Sequence, residues 1–311
     1  MIPRKPGRPI GVGVQVPEVE REVRWPEVRA IARTAEDVGF DSIWVGDHLL
    51  YRFASGETRG PWEAWTQLAG LAEATERVAI GPLVAAMGFH APFMLAKQAA
   101  TVDEISGGRL VLGIGAGWNE TEFAALGAPF DQRIARFEEA FTIVRTLLSE
   151  GRIDFQGRYH VARDAELLPR PQRPGGPPIL VGSIGPRMLA ATLPHAQSWN
   201  AWYADTRNAP EGVPPLRDRV DEAARAAGRD PADIERTVAV LVRLPGGTGR
   251  TMGDTDGRQQ VPPIEGDADT IADALLAYAR EGIDHVQLVL DPITEASVAA
   301  LAPVLERLDR A

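Results

Sequence analysis

The sequence of 311 residues contains no cysteine. This absence excludes disulfide bonds, thiolate nucleophiles and thiolate metal ligands, and it favours a cytoplasmic location. Long apolar segments are missing as well, since no uncharged stretch is long enough to cross a bilayer. The basic residues near the start are not followed by an apolar run, so we expect neither a signal peptide nor a membrane anchor.

Basic residues are fewer than acidic residues. Lys and Arg number 33 against 43 Asp and Glu, which gives a formal net charge of −10. An acidic surface repels phosphate backbones and anionic lipids, so nucleic acid and membrane surfaces are poor partners. The sequence also lacks an HExxH metal motif and a GxSxG serine-hydrolase motif. We therefore expect a protein that acts on a small-molecule substrate without a metal.

Short apolar strands alternate with amphipathic helices along the whole chain. Runs rich in Val, Ile and Leu without polar alternation are typical of parallel strands buried on both faces. Eight strand–helix units predict an α/β fold, a single (β/α)₈ TIM barrel domain over residues 1–311. A doubly wound open sheet is the competing architecture. The predicted strands lie near 10–16, 40–48, 77–86, 109–117, 177–183, 198–203, 236–244 and 285–290, and the last helix spans 295–308.

Two segments interrupt the alternation and are predicted to be insertions. Residues from about 152 to 178 combine FQGRYH with a proline-rich run, which indicates a small surface hairpin and a connection. Residues from about 245 to 267 form a polar, glycine-rich loop after the seventh strand. This loop leaves the carboxyl end of a strand, the face on which barrel enzymes work. It is either a lid or a flexible insertion.

Functional side chains of a barrel follow the carboxyl ends of its strands. Asp47 and His48 come after the second strand and place an acceptor beside a group that exchanges protons near neutral pH. The plain alternative is a turn-capping Asp47 with a structural His48. The third strand ends in Leu83 and Val84, which form either an apolar wall for a flat ring or ordinary barrel core.

The fourth strand ends in alternate glycines within Gly113–Gly117, which let the backbone approach a ligand closely. Trp118 follows and can stack on a ring. Glu120 and Glu122 come next, at the start of a predicted short helix, where the helix dipole favours acidic residues.

The strongest ligand signal follows the fifth strand, where Gly182, Ser183 and Gly185 precede Pro186 and Arg187. Backbone N–H groups at a helix start, together with an arginine, form an anion site, and phosphate is its natural occupant. The alternative is a tight turn with Arg187 in water.

The remaining histidines carry less weight. His90 can reach the same face of the barrel, whereas His160, His195 and His285 are interpreted as structural.

The chain resembles the bacterial luciferase-like monooxygenase superfamily and, within it, the F420-dependent oxidoreductases. The resemblance lies in GFDSIWVGDHLL, in SGGRLVLGIGAGW with the following EF, in PPILVGSIGPRMLAATL and in GIDHVQLVL. It implies a TIM barrel with insertions that binds F420 or FMN at its carboxyl-terminal face and forms a homodimer.

The resemblance also implies roles for individual residues. His48 is the candidate proton donor or acceptor, and Asp47 is its catalytic partner and a cofactor contact. Leu83 and Val84 match a strand end at which relatives carry a non-prolyl cis peptide behind the cofactor ring. The other implied cofactor contacts are Ala116, Gly117, Trp118, Gly182, Ser183, Gly185 and Arg187.

The resemblance implies three possible functions. The leading one is an F420-dependent oxidoreductase that moves hydride between a deazaflavin and a small organic substrate. The alternative is an FMN-dependent monooxygenase that receives reduced flavin from a separate reductase. A barrel that binds flavin without catalysing a reaction is the third. The residues do not identify the substrate.

Overall fold

Parallel strands form a central sheet, and helices cover its outer face. The computed structural model describes residues 2–250 and 260–311. The strands are β1 (Gly11–Gln15), β2 (Ser42–Val45), β3 (Tyr51–Arg52), β4 (Thr58–Arg59), β5 (Ala79–Pro82), β6 (Ala85–Ala86), β7 (Leu112–Gly115), β8 (Arg152–Gln156), β9 (Val161–Glu166), β10 (Ile179–Gly182), β11 (Ser198–Ala201), β12 (Glu235–Arg243) and β13 (His285–Asp291). The helices are α1 (Trp25–Val38), α2 (Ala64–Ala74), α3 (Pro92–Ile105), α4 (Glu120–Leu126), α5 (Arg133–Glu150), α6 (Pro186–Thr192), α7 (Pro214–Ala226), α8 (Ala268–Arg280), α9 (Glu295–Ala299) and α10 (Ala302–Leu308).

The central sheet is an almost closed barrel. Its nine strands are ordered β5-β2-β1-β13-β12-β11-β10-β7-β6, and every neighbouring pair is parallel. Strands β5 and β6 are two halves of one predicted strand, and both reach the strand that contains β7. The Ile80 N–H donates to the Arg109 carbonyl (3.1 Å) and the Val111 N–H donates to the Ile80 carbonyl (2.9 Å), which joins the two ends of the sheet. The predicted TIM barrel is confirmed.

Helix α1 shows how the sequence fixes a helix and the face that it buries. Pro26 lies in the first turn, where its missing N–H costs no hydrogen bond, and Gly39 ends the helix in the left-handed region with φ 100°. Val28, Ile31 and Ala35 recur at helical spacing and are fully buried against the sheet. The other barrel helices use the same pattern, so the main core lies between helices and strands.

Val84 marks the break between β5 and β6, and its side chain crosses toward two neighbouring strands. The Leu83–Val84 peptide bond is cis, as expected from the resemblance. A methyl group at Gly115 would lie 2.7 Å from Val84 Cγ2, and one at Gly182 would lie 2.9 Å from Val84 Cγ1. Glycine at these positions therefore makes room for Val84. Gly113 is needed for a different reason, because a methyl group there would lie 2.1 Å from the Pro82 carbonyl oxygen.

The inside of the barrel holds a buried polar chain away from the carboxyl ends of the strands. Trp44 Nε1 donates to Ser42 Oγ (2.7 Å), and Ser42 Oγ lies 2.7 Å from His285 Nε2. Burial lowers the pKa of His285 to about 3, so the imidazole is neutral near pH 7. The Ser42 hydroxyl can then donate to Nε2. This arrangement agrees with the structural interpretation of His285.

Three details of the fold differ from the sequence-based expectations. The expected third strand is divided at Leu83–Val84, and the expected last helix is divided into α9 and α10 around Leu301, just before Pro303. A proline has no N–H to continue a helix, which explains why α10 begins there. A small antiparallel ribbon of β3 and β4 was not expected at all.

Both predicted insertions can be located. The first contains the expected hairpin, formed by antiparallel β8 and β9. The second is described only in part: residues 251–259 of the predicted lid or flexible loop lie outside the described residues. Within the described ranges, no helix is long and apolar enough to span a membrane.

Replacing Gly115 with alanine is expected to destabilise the fold through Val84. Overpacking of this kind typically costs about 1–3 kcal/mol. Adding Val84→Ala removes both γ methyl groups, so the double variant should lose much less stability than the sum of the two single variants. Urea unfolding of all four proteins measures this coupling.

Gly113→Ala is the matched control, because its methyl group would meet the Pro82 carbonyl oxygen at 2.1 Å, closer than the Val84 methyl at 3.1 Å. Val84→Ala should not rescue it. Additive effects of Gly115→Ala and Val84→Ala would contradict the packing argument.

Candidate functional site

A cavity of about 380 Å³ opens at the carboxyl ends of the barrel strands. This volume is within the usual range for small-molecule sites, roughly 300–1,000 Å³. Its lining comes from several strand ends, from the start of α5 and from the loop before α6. The lining residues are Glu18, Asp47, His48, Leu83, Val84, Ala86, Phe89, Gly115, Ala116, Gly117, Trp118, Arg133, Ile134, Gly182, Ser183, Ile184, Met188, Asn200, Trp202, Ala204 and Asp205.

His48 is held by a buried carboxylate on its Nδ1 side. Nδ1 lies 2.7 Å from Glu122 Oε2, and the Glu122 side chain is fully buried. The other oxygen, Oε1, accepts from the backbone N–H groups of Leu49 (2.6 Å) and Leu50 (3.2 Å). Glu122 therefore fixes both the imidazole ring and the segment that follows β2. With Nδ1 donating to Glu122, Nε2 is the ring nitrogen left for a ligand.

A second carboxylate lies near the other nitrogen of the ring. Glu18 Oε1 is 4.0 Å from His48 Nε2, which is too long for a hydrogen bond. Burial alone would lower the pKa of His48. The hydrogen bond with Glu122 and the negative charges of Glu18, Glu122 and Asp47 outweigh burial, so the pKa is raised above its ordinary value. His48 is thus suited to donate a proton near neutral pH.

Glu18 is fixed by donors from three parts of the chain. Tyr51 donates its hydroxyl to Oε1 (2.5 Å), and Gln15 Nε2 donates to Oε2 (2.6 Å). Burial and the charge of Glu18 raise the pKa of Tyr51 well above its ordinary value, so this phenol stays protonated. Arg250 Nη2 also donates to Oε2 at 3.3 Å. Glu18 is therefore held with a fixed orientation beside the imidazole.

Arg250 brings a buried guanidinium to this side of the cavity from the loop after β12. Its side chain is fully buried, and its Nε donates to Glu20 Oε1 at 2.5 Å. The guanidinium lies 5.6 Å from the Trp202 ring centroid and donates to the Tyr203 hydroxyl at 3.4 Å. One cation is thus shared between Glu18 and Glu20, and it is enclosed by aromatic rings.

Asp47 connects the second and third strands of the barrel. Its Oδ2 accepts from the Ala86 N–H (2.8 Å) and lies 2.7 Å from His90 Nε2. His90 in turn lies edge-on to Trp65, with ring centroids 6.4 Å apart. His90 therefore reaches the functional face as expected. Asp47 lines the cavity, but its contacts within the chain are with this network and not with His48 Nδ1.

One wall of the cavity is apolar and another is aromatic. Leu83, Val84, Ala86 and Ala116 supply the apolar wall. Trp118 remains 45% exposed, and its ring lies edge-on to His48 with centroids 5.6 Å apart. A flat ring system placed in this cavity would therefore meet apolar atoms on one side and the imidazole nearby.

The loop after β10 has the expected small residues, but its arginine lies elsewhere. Gly182 and Ser183 line the cavity, whereas Gly185 does not and donates its N–H to Ser183 Oγ (3.2 Å). Arg187 is exposed and forms a double hydrogen bond with Glu138, at 2.7 and 2.6 Å. Among the described residues, the arginine or lysine side chain that lines the cavity is that of Arg133, at the start of α5.

The structure brings together most of the residues singled out in the sequence. Nine of them line one cavity: Asp47, His48, Leu83, Val84, Ala116, Gly117, Trp118, Gly182 and Ser183. Gly185 and Arg187 lie outside its lining, and their expected contact with a phosphate stays a prediction. Glu122 lies in the first turn of α4, as expected, and it also binds His48, which the sequence did not indicate.

Several residues of the site were missed by sequence reasoning. Glu18 and Trp202 follow the ends of β1 and β11, so the same rule of strand ends could have found them. Arg133 had no such signal, since it opens a helix. Arg250 lies in the polar loop after β12, which the rule of strand ends places on the functional face without singling out a residue.

Fold and site together define an α/β-barrel protein with a cavity of small-molecule size at the carboxyl ends of its strands. The chain belongs to the luciferase-like monooxygenase family, whose sequence model matches residues 10–244. It is 32% identical over 213 residues to an F420-dependent glucose-6-phosphate dehydrogenase of Amycolatopsis mediterranei (strain U-32), a match that covers 66% of this chain and 61% of that protein. The match thus spans about three fifths of the relative's own length.

Two further comparisons extend over more of the chain. A phthiodiolone/phenolphthiodiolone dimycocerosates ketoreductase of Mycobacterium tuberculosis (strain ATCC 25618 / H37Rv) is 32% identical over 275 residues, covering 83% of this chain and 70% of that protein. The solved structure of an F420-dependent secondary alcohol dehydrogenase in complex with an F420-acetone adduct has a TM-score of 0.81 at 20% identity, covering 96% of this chain and 99% of that chain. The structural likeness supports the fold.

Glu122→Gln is expected to lower the pKa of His48. The substitution removes the negative charge 2.7 Å from Nδ1, which stabilises the imidazolium form. The midpoint of the His48 titration, followed by the NMR signals of its ring protons and assigned with His48→Gln, should therefore move to lower pH. Glu120→Gln, an exposed change on the same helix, is the control and should leave the midpoint in place. An unchanged His48 titration in Glu122→Gln would show that this contact does not set its proton affinity.

Proposed function

We propose that this protein is an F420-dependent oxidoreductase that transfers hydride between the deazaflavin and a small organic substrate. The observation that carries the proposal is His48, fixed through Nδ1 by buried Glu122 and lining the same cavity as the apolar Leu83–Val84 wall. Relatives named for F420-dependent reactions support the choice of cofactor. The chemistry of the lining fits the group, since a flat ring needs an apolar wall and a phosphate needs donors and a cation.

The residues that would hold the cofactor lie along the cavity. Leu83, Val84 and Ala116 would support the ring, and Ser183 with Arg133 would hold the phosphate. Bound F420 supplies a ring carbon that accepts or gives a hydride, a two-electron step without radical chemistry.

His48 would move the proton that accompanies the hydride. In the reducing direction Nε2 donates a proton to the substrate, and in the oxidising direction the same nitrogen accepts it. The raised pKa of His48 favours the protonated form, because burial is outweighed by its bond to Glu122 and the nearby carboxylates. Glu122 acts as a positioning residue, since it holds the ring and stabilises its positive charge. Trp118 lies edge-on to the imidazole, with ring centroids 5.6 Å apart.

Titration of the purified protein with F420 and then with FMN, followed by calorimetry, tests the proposal. We expect F420 to bind with a Kd of about 1 μM or tighter, which corresponds to about −8 kcal/mol, and FMN to bind at least about tenfold more weakly. Tighter binding of FMN would favour the alternative, a monooxygenase that depends on a separate reductase. Binding of neither would refute the assignment of the cavity to a flavin-type cofactor.

Two arginine substitutions test which cation holds the phosphate. Arg133→Met is expected to weaken F420 binding by about tenfold or more, because a charge-assisted hydrogen bond is worth about 1.5–3 kcal/mol. Arg187→Met is the matched control, since Arg187 is exposed and already paired with Glu138. It should change the Kd by less than about twofold, within the usual effect of a surface substitution. The reverse result would show that Arg187 leaves Glu138 to bind the phosphate, as the sequence alone suggests.

A further inference from the structure

We propose that the end of the cavity beside His48 takes an uncharged organic substrate with an apolar or aromatic face, and that it excludes anions. The inference rests on the proposed function, because the cofactor assignment leaves this end of the cavity to the substrate. Four lining residues define it, and it is called the His48 end below: Glu18 and Trp118 beside the imidazole, and Trp202 with Asp205, which accepts from the Trp202 N–H.

Carboxylates dominate the His48 end. Glu18 Oε1 lies 4.0 Å from His48 Nε2, so an anionic group that contacts this nitrogen also approaches Glu18. Asp205 also lines the cavity at an exposed position, and its Oδ2 accepts from the Trp202 N–H at 2.9 Å. An anion that close to the buried Glu18 carboxylate is repelled by it. A substrate phosphate or carboxylate would therefore be destabilised here.

The cation that pairs with Glu18 cannot offset the repulsion. Arg250 is fully buried, and it is shared between Glu18 and Glu20. Its guanidinium is therefore committed to two carboxylates and has no exposed surface for a ligand. Among the described residues, 2–250 and 260–311, Arg133 is the single arginine or lysine side chain on the cavity lining. It lies at the start of α5 and is not part of the His48 end.

A substrate cation is disfavoured for two reasons. The imidazole of His48 is itself positive when it carries the proton to be donated, and it would repel an ammonium group beside Nε2. The Glu18 oxygens that could attract a cation already accept from Tyr51, Gln15 and Arg250. The His48 end therefore favours neither an anionic nor a cationic substrate.

Aromatic surface is what the His48 end offers instead. Trp118 is 45% exposed, and Trp202 lines the cavity from the end of β11. An indole face presents a large apolar area with a weak negative potential, which suits a flat or apolar molecule. The Asn200 amide, also on the lining, donates to Thr237 and Gln287, so it is engaged within the barrel.

Three ketones on one carbon skeleton test the proposal by binding, without requiring turnover. Acetophenone, 4-acetylbenzoate and 4-(aminomethyl)acetophenone are titrated calorimetrically into the F420-loaded protein and into the protein alone. We expect acetophenone to bind at least about tenfold more tightly than either charged probe, a difference of about 1.4 kcal/mol.

A charge-reversal variant tests the origin of the selectivity. Asp205→Lys should tighten the binding of 4-acetylbenzoate by about tenfold and change that of acetophenone little. Asp205→Asn keeps an acceptor for the Trp202 N–H and should give a smaller change in the same direction. Asp218→Lys makes the same change of net charge on exposed α7 and should leave the 4-acetylbenzoate affinity unchanged.

Equal or tighter binding of either charged probe than of acetophenone would overturn the proposal, as would binding of none of the three. An equal effect of Asp218→Lys and Asp205→Lys would overturn the assignment to the His48 end. The F420 titration is read separately. If F420 does not bind, the proposed function fails, while the order of affinities in the protein alone still tests this inference.

Discussion

Val84 packs against Gly115 and Gly182, and the architecture of the barrel and the cavity follows from this contact. The strand that contains β5 and β6 must turn there to bring Val84 into the space that the glycines leave. The same turn places Leu83 and Val84 on the cavity lining, so the apolar wall of the site lies next to the point at which the barrel closes. A larger residue at either glycine would disturb barrel closure and ligand space together.

The chemistry of the site depends on the His48 imidazole, which lies between two glutamates. Glu122 holds His48 from behind, and Glu18 lies beside its second nitrogen. Carboxylates so near a buried imidazole are tolerated because each is satisfied by fixed donors: backbone N–H groups for Glu122, and Tyr51, Gln15 and Arg250 for Glu18. Two carboxylates therefore lie next to a proton-exchanging group, and each has hydrogen-bond donors.

The fold and the centre of the site could be predicted from the sequence, because both depend on local patterns. Apolar runs and helical spacing identify the strands and helices, and strand ends identify Asp47, His48 and Ser183 as neighbours in space. Contacts between distant side chains could not be predicted. Arg187 follows a loop typical of an anion site, but Glu138 lies one helix away and pairs with it. A glutamate at position 122 is expected both at a helix start and as a partner of a histidine. The sequence does not show that α4 brings this side chain to His48, which follows β2.

The glycines of the fourth strand show the same limit. Their spacing indicates a close approach of some atom to the backbone, but the sequence does not say whether that atom belongs to a ligand or to the chain. For Gly115 it belongs to Val84, and for Gly113 to Pro82. Gly117, with φ 77°, is required by the turn itself.

The position of Arg250 has a thermodynamic consequence. The loop after β12 supplies the cation for Glu18 and Glu20, so any arrangement of that loop that withdraws the guanidinium leaves two carboxylates without it beside the imidazole. Unpaired carboxylates favour proton uptake by the groups around them. Loop arrangement and protonation are therefore linked equilibria, and linkage is reciprocal. A ligand that binds only an arrangement with the guanidinium withdrawn would take up protons as it binds, and its affinity would fall as pH rises even if the ligand itself does not titrate.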